Sequence, residues 1–518
     1  MLALLLSYTL TLTFNIQTVK ASGTIYIKVD GSIDPPTGPI FSADNVTYTL
    51  TDNVYGSIVV ERSNIIIDGA GHTLEGGGTG LRGIQTSGTR NVTIKNTNIK
   101  GFYFGVYFKR ASSNILFRNN ITNNFYGAQL YESSNNYISG NNIAKNRYGI
   151  PLYYFSSNNT ISRNDITNND SGVWLSQSSN NNISENNITN NLWSIWLWNF
   201  SSNNTITRNN ISNIACKPYQ PTYNIYLQYS SNNIIYHNRF VNNSQTGQVY
   251  SIGSINVWDN GYPSGGNHWS DCTSVDSFSG PYQNETGTDG ITDMPYVIDE
   301  NNRDRYPLMP PNIISFTVKP TPFSPNEDGR KDTTTIAASF NTVVDWQLQV
   351  RTAEGVTKRT WTGTGKTLTI IWDGKDASEV VVPDGNYKLR LNGADLSNTP
   401  FVTKLRSVTV DTTPPTVTGV SVNPTSFNPS LGQKTTINYT LSESCYVTIK
   451  IFKSGILYRT LLNNVLQTAD PRSIVWDGKD REGNIVPPGT YTIKIWVEDK
   501  AGNRAAPFPI PIRVTVLA

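Results

Sequence analysis

Soft metal ligands are scarce in this chain: 518 residues hold three cysteines, three methionines and three histidines. No Cys-x-x-Cys pair or histidine cluster occurs, so the pattern does not point to a transition-metal centre. Charge is scarce too. Acidic and basic residues make up 15% of the chain, the formal net charge is +3, and there is no basic block, which argues against nucleic acid as a partner. After the opening LALLLSYTLTLTF, no run is apolar enough to span a membrane. That opening run has signal-peptide length and Val19-Lys20-Ala21 resembles a cleavage site, although the usual basic start is missing. Residues 1–21 are therefore read as a signal peptide, and the mature chain as secreted, surface-displayed or periplasmic, with no transmembrane segment.

What the chain has is a repeat. One isoleucine recurs at Ile99, Ile121, Ile143, Ile166, Ile188 and Ile211, in steps of 22 or 23 residues. A second column keeps the step: Gly83, Gly105, Gly127, Gly149, Gly172, then Ser194. A fixed period of this size signals a solenoid. Leucine-rich repeats are excluded because their Leu-x-x-Leu-x-Leu frame is absent. Helical repeats are longer and avoid this much Asn, Ser, Thr and Gly. Short alternating stretches bounded by Asn and Gly read as strands and turns, three strands to a coil. The fold expected is all-β: a right-handed parallel β-helix of about ten coils over 64–260, with an N-terminal cap over 22–63 and a closing segment over 261–311.

Alternation places the pairs Val106/Phe108, Ala128/Leu130, Ile150/Leu152, Val173/Leu175, Ile195/Leu197 and Ile225/Leu227 inside. Pro151 predicts a bulge or weakened strand. Asn114, Asn136, Asn159, Asn181, Asn204 and Asn233 form a column read as a structural ladder of stacked amides. The alternate positions face outward and carry Tyr107, Tyr131, Tyr153, Trp174, Trp196, Trp198 and Tyr226. Aromatic rings in a row on an exposed sheet mark a partner surface. Rings can stack on sugar faces, so the favoured partner is a polysaccharide or cell-envelope glycan; self-association and contact with other surface proteins are the alternatives, as is plain cross-coil stacking.

Glycoside hydrolysis needs two carboxylates facing one sugar. Glu132, Asp165, Asp170 and Glu185 share no column, and Glu185 sits between Arg163 and Arg208 on neighbouring coils, which reads as a charge ladder. The reading favours binding over catalysis, with a polysaccharide lyase, hydrolase or epimerase as one alternative and a structural subunit of a surface layer or filament as another. No cofactor is certain. Ca²⁺ is a candidate at Asp271, Asp276, Asp289 and Asp293, and at Asn326, Asp328 and Asp332, since it takes carboxylate and carbonyl oxygens; Asx-rich turns without metal are the alternative. Cys216, in the insertion ACKPYQPTY, and Cys272 are a candidate disulfide in an oxidising compartment, against two unrelated thiols. Thirteen Asn-x-Ser/Thr triplets are possible glycan acceptors, though an Asn- and Ser-rich repeat generates such triplets by chance.

Composition changes near Pro310-Pro311. WDGKD at Trp372–Asp376 recurs at Trp476–Asp480, and VPDGNY at Val382–Tyr387 recurs as VPPGTY at Val486–Tyr491, both with an offset of 104. Two tandem Ig-like β-sandwiches follow, 312–413 and 414–518, joined at Asp411–Pro415.

IIIDGAGHTLEGGG (Ile65–Gly78) and the coils after it resemble the β-helix family that includes NosD-like periplasmic proteins, within the wider pectin-lyase-like group. The segment Gly265–Met309 resembles the piece that closes many such helices in microbial surface proteins. The two C-terminal domains resemble the Ig-like fold of flagellar hook-capping (FlgD-like) proteins. The NosD resemblance would imply copper delivery, but copper wants His, Met or Cys, and His72, His237 and His268 lie far apart in sequence.

Overall fold

The structure, a computed structural model, describes residues 22–77, 81–212, 222–241, 247–395, 397 and 399–518. The candidate signal peptide, Cys216 and the sequon at Asn242 lie outside these residues. The first of two compact units ends at Pro310 and the second begins at Pro311.

The first unit is a parallel β-solenoid. Its first complete coil comprises strands Ile65–Asp68, Thr73–Glu75 and Arg82–Ser87; its last comprises Ile234–Tyr236, Arg239–Val241 and Val249–Ile252. Three-strand coils number about eight, not ten. Ser22–Ile27 and Val54–Val60 stack on the third strands, and His268–Trp269 on the second, without completing further turns. Matching residues pair from coil to coil, as Ile166 with Ile188 and Leu175 with Leu197. Each middle coil buries four aliphatic side chains; Ile161, Ile166, Val173 and Leu175 serve one of them, all fully buried. Each contributes about 1.5–3 kcal/mol, and stacking joins them into one continuous core. That core explains how a chain only 37% hydrophobic sustains the fold. All six inward pairs named above are buried.

Pro151 has the expected effect on one side only. Between Tyr126–Tyr131 and Tyr148–Tyr153 the pairing skips Ala128/Ile150 and Gln129/Pro151, whereas Pro151 pairs with Trp174 on the other side.

The glycine column reflects close approach between coils. A Cβ on Gly149 would stand 2.5 Å from the carbonyl oxygen of Gly172, and one on Gly127 would stand 2.6 Å from that of Gly149. Gly149→Ala is expected to cost about 1–3 kcal/mol, read as a lower thermal midpoint of the β-helix; an unchanged midpoint would contradict the packing.

The corners are built from Asn and Ser. The Asn114–Asn233 column is buried and laddered: Asn136 Nδ2 donates to Asn159 Oδ1 at 3.0 Å, and Asn159 Nδ2 to Asn181 Oδ1 at 3.0 Å. The left-handed turn falls on the residue before it, Asn135, Asn158, Asn180, Asn203 and Asn232, with φ between 56 and 60°. Two further buried columns run beside it, Asn119/Asn141/Asn164/Asn186/Asn209/Asn238 and Asn124/Asn146/Asn169/Asn191. Asn169 is thus a sequon whose side chain is committed to the interior. The closing segment terminates two ladders. Asn302 Oδ1 accepts from Asn256 N at 2.9 Å, and Asp304 Oδ2 accepts from Asn267 N at 2.6 Å.

The second unit consists of mainly antiparallel sheets, with Ser426–Phe427 pairing parallel to Ile510–Val516. Thr334–Arg351 pairs with Ile313–Lys319, Thr357–Trp372 and Gly385–Asp395; Cys445–Lys453 pairs with Ile456–Gln467 and Gly489–Glu498. The internal repeat has matching contacts. Trp372 Nε1 donates to Lys375 O at 2.9 Å and Trp476 Nε1 to Lys479 O at 3.0 Å, while Tyr387 and Tyr491 hydroxyls donate at 2.7 Å to Pro383 O and Pro487 O.

Candidate functional site: the aromatic side of the solenoid

The third strands bring all seven candidate aromatic residues onto one sheet face. They do not lie there as free plates. Rings stack along the solenoid axis, because equivalent positions sit one strand spacing apart, about 4.8 Å. Trp174 and Trp196 have centroids 4.5 Å apart and planes 6° from parallel; Tyr226 and Tyr250 are at 4.7 Å and 23°. A flanking column, Phe104, Tyr126 and Tyr148, stacks at 5.1 Å per step. In these stacked pairs one face of each ring is covered by the neighbouring coil, whereas Tyr153 meets Trp174, and Tyr226 meets Trp196, edge to face. Tyr107 departs from the expectation of an exposed ring. It is only 7% exposed, because Phe104 packs against it and the Arg82 guanidinium lies 4.8 Å above its ring. Tyr153 is half-buried, and burial pushes its hydroxyl well above the ordinary tyrosine value. The indole N–H groups of Trp174, Trp193 and Trp196 are buried among rings with no protein acceptor.

Sequence reasoning missed a second group beside this face. The turn after the third strand holds one residue in most coils but two in the fourth and sixth, Tyr154-Phe155 and Asn199-Phe200. These extra residues account for the two 23-residue steps of the repeat, which was the available signal. Phe155 is 73% exposed and Phe200 70%, with Tyr154, Tyr229 and Trp198 exposed beside them.

The solenoid's acids are engaged separately. Glu132 pairs with Arg110 and Glu185 with Arg163, each at 2.6 Å, with Arg208 at 4.0 Å completing the expected charge ladder. Asp165 accepts from Asn187 Nδ2 at 2.7 Å, and Asp170 lies 3.9 Å from Arg147. Each of these four carboxylates is held by a different basic or amide partner.

Residues 63–274 match the family described as periplasmic copper-binding protein (NosD). The side chains of this NosD-matching segment do not fit copper. Among the described residues, no group of three His, Cys, Asp or Glu ligands within reach of one ion lies inside it. His237 donates Nε2 to Ser264 O at 2.7 Å, and burial holds its ring below the usual histidine range. His268 is lowered to about 4 by burial and by Arg239. No curated protein matches the chain. Among solved structures, it is similar to a periplasmic alginate epimerase AlgG double mutant (16% identity, 39% of this chain and 59% of that one, TM-score 0.25). It is also similar to an alginate lyase from Paenibacillus sp. (14%, 42% and 87%, TM-score 0.29) and to the Dettilon tailspike protein (12%, 94% and 82%, TM-score 0.34). The chain thus spans about three fifths of the epimerase it matches. Among the described residues no helix is long and apolar enough to cross a membrane.

The acidic residues of the closing segment hold its loops. Asp293 accepts from Ser277 N and Phe278 N, Asp276 from Asp289 N and Gly290 N, Asp289 from Ile291 N and Gln283 Nε2, and Asp271 from the Tyr296 hydroxyl. Burial raises Asp276 above the usual carboxylate range. Asn326 accepts from Asp328 N, Asp328 from Arg330 N and Asp332 from Gly329 N. Cys272 is half-buried against the solenoid core, and its pairing with Cys216 involves a residue outside those described. A different trio, Asp411, Glu443 and Asp499, brings carboxylate oxygens within 4.8 Å of one another. Burial, then the neighbouring carboxylates, raises Asp411 and Glu443. Hard cations take such oxygens. The three lie on separate segments of sequence, which hid them.

Proposed function

We propose that this is a non-catalytic binding protein acting outside the cytoplasm, that its solenoid holds carbohydrate along the aromatic side, and that the C-terminal pair, read as Ig-like domains, serves as spacer or anchor. One observation carries the reading: from the second coil to the eighth, every third strand or the turn after it presents an aromatic side chain outward or at the edge. Rings in such number outside a core favour a partner with apolar faces and hydroxyl rims. The separately engaged acids favour retention over cleavage.

The test is affinity electrophoresis of the full chain in gels containing dissolved polysaccharides. Slowed migration is expected on at least one, with no release of reducing ends or unsaturated sugars. Unaltered migration across neutral and acidic polymers alike would remove the proposal, and product release would replace it with the enzymatic alternative.

A further inference from the structure

Resting on the carbohydrate reading above, we infer that the ligand is a single extended, uncharged glycan chain. It lies along the turn that follows the third strands, gripped by Phe155 and Phe200 with Tyr154 and Tyr229 and with Trp198 at the strand end, and not across the rest of the sheet face.

On the sheet face the rings cover one another, Trp174 against Trp196 and Tyr226 against Tyr250. The turn offers ring faces. Among the described residues of the coils, Phe155 and Phe200 are the two most exposed rings. Both also hold the left-handed backbone, at φ 59° and 65°, each after another left-handed residue, Tyr154 at 50° and Asn199 at 51°. Bulky residues pay for that conformation, and strain together with solvent-exposed apolar area points to use at a site. Their backbone N–H groups are nonetheless fixed, each donating at 2.8 Å to the next coil, Phe155 to Gln177 O and Phe200 to Tyr229 O. The rings are therefore presented from an ordered ladder. They are set two coils apart, roughly 10 Å along the axis, with Tyr229 one coil further on. Tyr229 lies across the next coil because residue 253 is glycine: a Cβ there would stand 2.6 Å from Tyr229 Cδ1.

The ligand's charge follows from the strip's own. Residues 153–158, 176–180, 198–203, 228–232 and 252–256, which form the strand ends and turns of five successive coils, contain no acidic or basic side chain. Between the rings stand Gln177, Asn199 and a serine row in which Ser157 Oγ accepts from Ser179 N and Ser179 Oγ from Ser202 N. An acidic polymer would meet no cation here. A neutral one finds apolar plates along the axis and amides and hydroxyls for its own hydroxyls. A line one residue wide fits a linear polymer better than the broad patch a protein partner needs.

The test uses affinity electrophoresis of the full chain in hydroxyethyl cellulose, glucomannan, glycol chitin, alginate and polygalacturonate. The variants are the double substitution Phe155→Gly with Phe200→Gly, and Tyr137→Leu, which removes an exposed ring from a first strand, Tyr137–Ser139, away from the aromatic side. Glycine takes the left-handed backbone without strain, so the double variant should keep its thermal midpoint. Retention by a neutral polymer is expected to weaken about a hundredfold in it, about tenfold per ring, while Tyr137→Leu binds as the parent does. If the double variant binds unchanged, or Tyr137→Leu loses as much, the contact lies elsewhere and this inference falls while the carbohydrate reading stands. Retention only by alginate or polygalacturonate overturns the uncharged ligand. No retention by any of the five defeats the carbohydrate reading itself.

Discussion

Asn186→Ala is expected to destabilise the β-helix by about 4 kcal/mol, among the largest effects of any single substitution outside the aliphatic core. The Asn186 side chain makes five hydrogen bonds in the interior. Its Oδ1 accepts from Asn164 N and Asn164 Nδ2, both at 3.0 Å. Its Nδ2 donates to Ile161 O at 2.8 Å, Ser184 O at 3.0 Å and Asn209 Oδ1 at 3.0 Å. Alanine leaves the Asn164 N–H without its partner and takes the amide donor from the Ile161 and Ser184 carbonyls, of which Ser184 O still accepts from Arg163 N at 3.2 Å; each stranded buried group costs about 1–3 kcal/mol, partly relieved by relaxation. Asn186→Asp should be as damaging at neutral pH, because a carboxylate oxygen would face two carbonyls. It should recover in part on acidification, when the protonated acid donates once. Urea unfolding followed by circular dichroism measures both. A loss below about 1 kcal/mol for the alanine variant would show that water reaches these corners.

The second large effect belongs to Asp304. This fully buried carboxylate accepts from Asn267 N at 2.6 Å, Trp269 Nε1 at 2.9 Å and Tyr306 N at 3.1 Å. Asp304→Ala strands those three donors, and a cost of about 3 kcal/mol or more is expected, with the closing segment losing amide-exchange protection first. Burial raises the Asp304 carboxyl from 3.8 to about 7 against the pull of its three donors. The folded state therefore holds a proton that the unfolded chain has released. Its contribution to stability is full below about pH 4 and is lost as pH rises towards about 7. The span is on the order of 4 kcal/mol. Asp304→Asn should remove that pH slope. A variant that keeps the parent's pH profile would place the titration on another group.

Much of the fold was legible because period, inward alternation and the Asn column are properties of the sequence taken 22 residues at a time. The six inward pairs, the Arg163–Glu185–Arg208 ladder and the perturbation at Pro151 follow from local alternation and from the missing proline N–H. Ring orientation was not legible. Whether Trp174 offers a face or an edge depends on what Trp196 does one coil later, and alternation gives only the side of the sheet. Tyr107 shows the same limit, since its cover comes from Arg82, 25 positions earlier. The meaning of the 23-residue steps became visible only when the extra residues fell in one turn. The coil count ran high because strands that stack on the ends do not close a turn. The Asp411, Glu443 and Asp499 trio needs tertiary structure to assemble.

The Asn ladders have a direction: each backbone N–H in a column donates to the amide oxygen of the following coil, and only Asn302 and Asp304 bring two of these rows to a close. Every interior unit therefore presents the same donors forward and the same acceptors backward. Duplicating or deleting one whole unit leaves each neighbour with a partner of the right kind, whereas a change of half a unit does not. A lineage of such genes can lengthen or shorten its polymer-contacting edge in steps of one coil, roughly 4.8 Å, while inheriting both terminal pieces unaltered.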